Sequence, residues 1–592
     1  MVTQPPQGIP VLLRRLWHHI SNRRRGQFGL LLGLMVLVSF AEIISIGAVL
    51  PFLGALTAPD RVFSQPFAQP FIQFFGIPSA DKLLLPMTLA FCAATLLAGA
   101  MRLLLLWVNT RLSFATGADL SISMYRRTLF QPYAVHLARN SSEVINGIFN
   151  KASVVTNSML MGLNIVSSSV TITAILLALV SVEPVIALGT FGGFGLIYVG
   201  SVAITRRRLM INSQHMAQGS SQIIKVLQEG LGAIRDILID SNQESYCEIY
   251  RNADLKVRRA AGDSTFVSSS PRYLVEALSM VFIAGVAYAL ARQVDGIAKG
   301  LPILGALALG AQRLLPLLQQ VYAAWAGIKS NQFSIGDALD LLDQPLPAVS
   351  APVTQPLPFQ HVINLNDISF RYGPTTPLVL QGVGLTISKG ARVGFIGTTG
   401  SGKSTLLDII MGLLSPTGGE FAIDGQVITP ANCRVWQAHI AHVPQAIFLT
   451  DGTIEENIAF GVPQNKIDSQ RVHDAAKQAQ IAEAIESWPL QYKSLVGERG
   501  VRLSGGQRQR IGIARALYKQ ADVIIFDEAT SALDNETEQA VMQSIEGLSK
   551  QLTILIIAHR LTTLKNCTQI VELGGGGIKR VGTYQDIVIQ TA

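Results

Sequence analysis

The sequence is poor in several residue types, and each shortage excludes something. Only four cysteines (Cys92, Cys247, Cys433 and Cys567) stand in 592 residues. They are scattered without ligand-like spacing, so neither a zinc site nor a disulfide framework is expected, and a reduced compartment suits them. Charge is scarce as well: Asp, Glu, Lys and Arg make up 15% of the chain, against 49% hydrophobic residues. The net charge of +8 does not read as a nucleic-acid surface, because basic residues gather at the ends of apolar runs, as at Arg23 to Arg25 and Arg206 to Arg208. That is where helices meet an anionic cytoplasmic membrane surface, and no nucleic-acid partner is expected. No cleavable leader is read either. The first apolar stretch is too long and lacks a small-residue cleavage site, so it is expected to remain as a membrane span.

What is present divides sharply. Up to about Ile335 the chain keeps returning to long apolar runs, whereas after Pro345 it reads as a soluble α/β protein. Crossing a bilayer takes about 20 mostly apolar residues. Six such runs are read, at roughly 28–56, 83–112, 153–181, 184–205, 273–291 and 301–325. Only Val182, Glu183 and Pro184 separate the third from the fourth, which predicts a tight helical hairpin. Long helical, polar segments follow the second and fourth runs and carry Lys and Arg, placing both segments, the N-terminus and the C-terminal domain in the cytoplasm. Ahead of the first span, Pro10–Ile20 sets Leu13, Leu16, Trp17 and Ile20 on one face, an amphipathic helix suited to the membrane interface. The expected organisation is an N-terminal helix over 1–27, a six-helix membrane domain with cytoplasmic extensions over 28–340, a proline-rich linker over 341–358 and an α/β domain over 359–592.

The α/β domain carries phosphate-handling motifs. Gly397-Thr398-Thr399-Gly400-Ser401-Gly402-Lys403-Ser404 follows a predicted strand, Arg392–Ile396, and opens a predicted helix. This is the P-loop context, in which backbone N–H groups and a helix N-terminus wrap the β- and γ-phosphates of ATP. Lys403 would add charge at the β/γ oxygens, Ser404 a Mg²⁺ ligand and Thr405 a hydroxyl near the α-phosphate. A buried-strand run, Val523 to Phe526, ends in Asp527-Glu528. Asp527 is placed to hold the Mg²⁺ shell and Glu528 to polarise the attacking water. Leu503-Ser504-Gly505-Gly506-Gln507 precedes an arginine-rich helix and makes a second anion site, one more than a single nucleotide needs in one domain.

With these motifs in order over about 359–588, the domain resembles the ABC transporter ATPase. The resemblance implies a membrane helical bundle joined to an α/β P-loop domain, using ATP and Mg²⁺. It implies that Tyr372 stacks on adenine, that Gln445 senses Mg²⁺ and water, and that Ser504 to Gln507 reach a nucleotide bound by a second chain. Asp534 resembles the acid of the segment after the catalytic glutamate, and His559 the switch histidine at the γ-phosphate. The implied assembly is a homodimer joined through ATP-sandwiching ATPase domains and membrane helices. Short coupling helices are expected near Tyr125–Tyr133 and Gly232–Asp240, and Glu498 near the membrane helices' cytoplasmic ends.

For the cargo, Arg102, Arg272 and Arg313 lie in or at predicted spans and would suit phosphate or pyrophosphate. The alternative is that Arg102 and Arg272 snorkel, or pair with an acid such as Glu276. Phe63, Phe67, Phe71, Phe74 and Phe75 form an aromatic stripe in the first external loop, fit for an acyl or isoprenoid chain or for simple anchoring. Gln131-Pro132-Tyr133 with His136 to Ser142 resembles the lipid-linked oligosaccharide flippase branch. That implies a polyprenyl-pyrophosphate-linked glycan moved across the inner (plasma) membrane, among membrane lipids. The alternative is an exporter of peptides, drugs or simple lipids.

Overall fold

In hydrocarbon a backbone has only itself to bond to, so long apolar runs fold as helices. The computed structural model describes residues 7–588 apart from 50, 51, 53–55, 57, 58, 66–68, 70, 71, 74, 75, 78, 183, 292–295, 347–356, 529–533, 547–550, 559 and 560; some helical side chains, among them those at 181–191, 296–311 and 313, also lie outside the description. The chain divides into two units: Met1–Gln131 with Arg139–Pro347, and Pro132–Ala138 with Ala348–Ala592.

The first unit is helical. A short α1 (Ile9–His19) precedes α2 (Asn22–Gly47) and α3 (Leu84–Leu129). The short α4 (Tyr133–Leu137), which belongs to the second unit, is followed by α5 (Ala152–Val182) and α6 (Pro184–Gly232). Then come α7 (Ile234–Ile239), α8 (Gln243–Ala291), α9 (Gly296–Ser330) and α10 (Gln332–Leu342). Among the described residues, Asn22–Ser45, Leu84–Leu129 and Ser141–Leu177 are long and apolar enough to cross a membrane. The other three predicted spans fall within α6, α8 and α9. The predicted hairpin falls where α5 ends at Val182 and α6 begins at Pro184; Glu183 between them lies outside the described residues. With 46 residues in α3 and 49 each in α6 and α8, these helices are far longer than a bilayer needs. At 1.5 Å per residue they reach about 70 Å, against a hydrocarbon core of about 30 Å. Leu103, Leu106 and Trp107 face outward, each at least 60% exposed, as side chains in lipid do.

The apolar face of α1 differs from the sequence reading. Leu12, Leu16 and Ile20 are buried, whereas Leu13 and Trp17 are exposed. Polar contacts go with this rotation: Arg15 pairs with Asp340 at 2.8 Å and His19 Nε2 lies 2.6 Å from Asp343, both at the end of α10. Of the aromatic stripe, Phe67, Phe71, Phe74 and Phe75 lie outside the described residues.

The second unit holds two sheets rather than one. Strands β1 (Val362–Phe370), β2 (Leu380–Ser388), β4 (Gly418–Ile423) and β5 (Gln426–Val427) form an antiparallel sheet ordered β2-β1-β4-β5. Strands β1 and β2 therefore stand apart from the parallel sheet, because β1 pairs on both sides with antiparallel neighbours. The other sheet is ordered β10-β9-β3-β8-β7-β6, from β3 (Arg392–Gly397), β6 (Ile440–Val443), β7 (Val523–Asp527), β8 (Thr553–Ile557), β9 (Gln569–Gly574) and β10 (Gly577–Gly582). Its pairs are parallel except β9 with β10. Helices α11 (Lys403–Ile410), α12 (Gly505–Lys519) and α13 (Asn535–Glu546) belong to this unit.

Candidate active site

Parallel pairing puts the C-terminal ends of β6, β7, β8 and β3 on one edge, where open α/β sheets bind ligands. Val443 pairs with Phe526, Asp527 with Ile557 and Phe395 with Ile557. The loops bearing Gln445, Glu528 and the P-loop thus emerge side by side, although more than a hundred residues separate some of them.

In the P-loop, Gly397 has φ +145°, and a β-carbon there would come 2.2 Å from the Leu573 carbonyl oxygen. Gly402, at φ +97°, caps α11 in the left-handed region. No residue with a side chain fits either place without strain. Lys403 Nζ donates to the carbonyls of Gly397 (2.8 Å) and Thr398 (3.0 Å), which holds its charge over the loop. Ser404 is exposed at the first turn of α11, while Thr405 is buried. The Tyr372 hydroxyl lies 3.0 Å from Thr405 Oγ1, its ring packs edge-on against Phe370, and its outer side stays exposed. The aromatic assigned to adenine therefore borders the phosphate loop.

At the end of β7, Gln445 Nε2 donates to Glu528 Oε2 at 2.6 Å. Glu528 adopts φ +51°, and its N–H donates to the Ile557 carbonyl at 3.1 Å. Burial, with the neighbouring charge of Glu528, lifts the Asp527 carboxyl above the usual range, while Lys403 pulls the other way. Asp408, one turn along α11 from the P-loop, is pushed up to about 6 by burial and by Asp527. Crowded carboxylates of this kind are relieved by a cation. No cluster of three or more acidic, histidine or cysteine ligands exists among the described residues. Mg²⁺ needs none, since it is commonly held by one or two carboxylates, hydroxyls, waters and the phosphates themselves. Ser404, Gln445 and Asp527 fit that donor set.

Ser504 caps α12: its hydroxyl accepts from Gln507 N–H at 3.2 Å while Gln507 Oε1 accepts from Ser504 N–H at 2.9 Å. The cap uses the hydroxyl as acceptor, so its proton stays available to a phosphate oxygen. Gly505 and Gly506 form the first turn behind it. Asp534 accepts from the N–H and hydroxyl of Thr537, at 2.9 and 2.7 Å, which holds its carboxyl below the usual range. His559 lies outside the described residues.

Arg515 was not legible in the sequence as a site residue. It reaches from α12 to the carbonyls of Asn457 (2.9 Å) and Phe448 (3.0 Å) and lies over Phe460. Its burial lowers its pKa to about 10. It therefore fixes the chain after Gln445 against α12, the helix opened by the signature Ser504-Gly505-Gly506-Gln507.

Two family models match: the ABC transporter over residues 380–531 and the ABC transporter transmembrane region over 30–297. The chain belongs to the ABC transporters, as a half-transporter with one transmembrane region and one ATPase domain. The lipid A-core flippase of Cupriavidus metallidurans is 29% identical to this half-transporter over 481 residues, 79% of each chain. That of Saccharophagus degradans is 42% identical over 226 residues, 38% of each. ABC transporter ATM1 of Toxoplasma gondii is 30% identical over 66% of this chain and 36% of its own. The half-transporter thus spans little more than a third of the length of several curated relatives it matches. In fold it is similar to a bacterial Atm1-family ABC exporter solved with ATP bound, with a TM-score of 0.75 at 24% identity over 92% of this chain and 96% of that one.

In the membrane unit of the half-transporter, the arginines are less free than the sequence suggests. Arg102 Nη2 donates to Glu42 Oε2 at 2.6 Å, and Arg272 lies 3.9 Å from Glu276. The Arg313 side chain lies outside the described residues. Asn140, in the stretch that resembles the flippase branch, accepts from Ser142 N–H (3.0 Å) and Ser142 hydroxyl (2.8 Å), so capping accounts for it locally.

Proposed function

We propose that two copies of this chain form an ATP-driven flippase in the inner (plasma) membrane, with the ATPase domains in the cytoplasm. Its cargo on this reading is a polyprenyl-pyrophosphate-linked oligosaccharide or a similar anionic glycolipid, moved from the inner to the outer leaflet. The observation that carries the ATPase reading is the 2.6 Å contact of Gln445 with Glu528, on the same sheet edge as the P-loop.

Lys403 and the P-loop N–H groups bind the β- and γ-phosphates, and Tyr372 offers its exposed face to adenine. Ser404, Gln445 and Asp527 would hold Mg²⁺, which supplies charge neutralisation on the phosphate oxygens when bound. Glu528 takes up proton density from the attacking water, with Gln445 and His559 orienting the reacting groups. The Ser504 hydroxyl and the N-terminus of α12 meet the nucleotide of the partner chain, so neither site is complete alone.

Coupling runs through α4 and α7. The first begins where the predicted segment Tyr125–Tyr133 ends, since α3 continues to Leu129; the second lies inside Gly232–Asp240. Tyr133 belongs to the same unit as the ATPase fold, and burial together with the charge of Asp408 pushes its hydroxyl pKa up. On this reading, motion at the nucleotide passes through α4 to α3, the helix that precedes it in the chain.

The lipid A-core flippases among the relatives support a lipid cargo. The pairing of Arg102 with Glu42 favours, as second reading, an exporter of a less acidic substrate such as a peptide, drug or simple lipid. Reconstitution in liposomes with fluorescent lipid-linked oligosaccharide decides between them. ATP-dependent loss of inner-leaflet fluorescence is expected; normal ATP turnover without flipping would favour the second reading.

A further inference from the structure

Within the membrane unit, α2, α3, α5 and α9 line an open cavity of about 320 Å³. That is the lower end of the range of small-molecule sites, about 300–1,000 Å³. Membrane helices pack without a hydrophobic driving force, and polar side chains between them cross-link neighbours. Several here do so: Ser39 with Thr171 (3.1 Å) and Ser168 with Gln320 (3.0 Å). The cavity wall also contains groups that this bonding leaves over. Asn109 is 3% exposed and donates from Nδ2 to Asn164 at 3.3 Å, yet its Oδ1 is buried with no partner among the described residues. An unpaired buried amide oxygen costs about 1–3 kcal/mol, which a turn of the Asn109 side chain towards a donor in the cavity would recover.

The charge at this cavity is balanced. Glu42, 7% exposed, is bonded to Arg102, and both line the space. A phosphate entering here would gain Arg102 and meet the Glu42 carboxylate at the same time. A neutral hydroxyl group meets neither penalty, because it donates to Asn109 Oδ1 or Glu42 and accepts from the amide of Asn164 or Gln312.

We propose that this intramembrane cavity binds an uncharged, hydroxyl-rich head group, such as a sugar ring on a lipid tail, and that the Glu42–Arg102 pair selects against phosphate there. The proposal rests on the reading of an amphiphilic cargo. It separates the glycan from the anionic group, which on this view is held elsewhere.

The test is photolabelling of the full-length protein in nanodiscs with n-octyl glucoside carrying a diazirine on its first tail carbon. An n-octyl phosphate bearing the same diazirine serves as the anionic counterpart. The glucoside is expected to label the peptides containing Asn109 and Asn164. Asn109→Leu, which removes the oxygen, should lower that labelling by about fivefold, the value of one hydrogen bond of about 1 kcal/mol, and Ser167→Leu, which fills the cavity from α5, should lower it at least as far. The phosphate should label these peptides about fivefold less. Labelling unchanged in the folded variants, equal labelling by the phosphate, or label spread over the lipid-facing surface would each overturn the proposal. If one variant fails to fold, the other and the comparison of the two probes still decide. Flipping in liposomes separates this idea from the cargo reading. Labelling without flipping strikes the cargo and leaves the site, whereas flipping without cavity labelling strikes only the site.

Discussion

Glu528 holds a left-handed backbone conformation, φ +51°, that costs a residue with a β-carbon about 1–2 kcal/mol. The strain is kept because Gln445 and the Ile557 carbonyl fix the residue from both sides, aiming its carboxylate along the sheet edge. Glu528→Gln keeps the shape and removes the base. Turnover is expected to fall about 10²–10⁴-fold while ATP is still bound; steady hydrolysis with trapped nucleotide absent would take the base role away from Glu528. His442 stands in β6, three residues before Gln445. Burial holds its pKa below the ordinary value of 6.5, and its Nε2 has no partner among the described residues. The unfolded chain therefore takes up the proton first, so stability is full above pH 6.5 and falls as pH drops below it. His442→Phe should flatten that acid-side loss, as read from unfolding midpoints between pH 7.5 and 5; the same slope in wild type and variant would remove His442 as its source.

Among the elements, α12 shows how one residue serves both fold and chemistry. Ser504 closes a capping box with Gln507, and the helix it opens is held at its far part by Arg515. Ser504→Ala is expected to cost about 1 kcal/mol in stability, the usual value of such a cap. Turnover should fall much further than that, because the hydroxyl proton meant for the partner's phosphate is lost. Ser504→Asn restores a cap without that hydroxyl. Recovery of the melting midpoint without recovery of turnover is the expected pattern, and recovery of both would reduce Ser504 to a structural cap.

At the scale of the whole molecule, the arrangement of one P-loop and one signature per chain makes mixed assemblies informative. A Lys403→Ala chain paired with a Ser504→Arg chain leaves one composite site with both parts intact, if the sites form between chains. About half of wild-type turnover per dimer is expected from independent sites. Complete loss in the mixture, equal to that of each variant alone, would argue that each site is built within one chain.

Local pattern and the order of motifs along the chain account for what could be read beforehand. The apolar runs, the hairpin at Val182 to Pro184, the P-loop between β3 and α11 and the acidic end of β7 follow from composition and nearest neighbours along the chain. Each depends on hydrophobicity, on glycine's backbone freedom or on a strand's buried run, all of which are local properties. Long-range contacts were not legible. The separation of β1 and β2 into their own antiparallel sheet depends on which strand pairs with which. The rotation of α1 depends on Asp340 and Asp343, more than three hundred residues away. The anchoring role of Arg515 depends on carbonyls that any residue could supply. The membrane arginines make the same point. Their presence is a matter of sequence, and so is the i,i+4 spacing that sets Arg272 beside Glu276 within α8, but that the charge of Arg102 is matched by Glu42 was decided only by helix packing. An ion pair across two helices is a property of the tertiary fold, and it moved the polar cavity of the membrane unit from an anion site towards a neutral one.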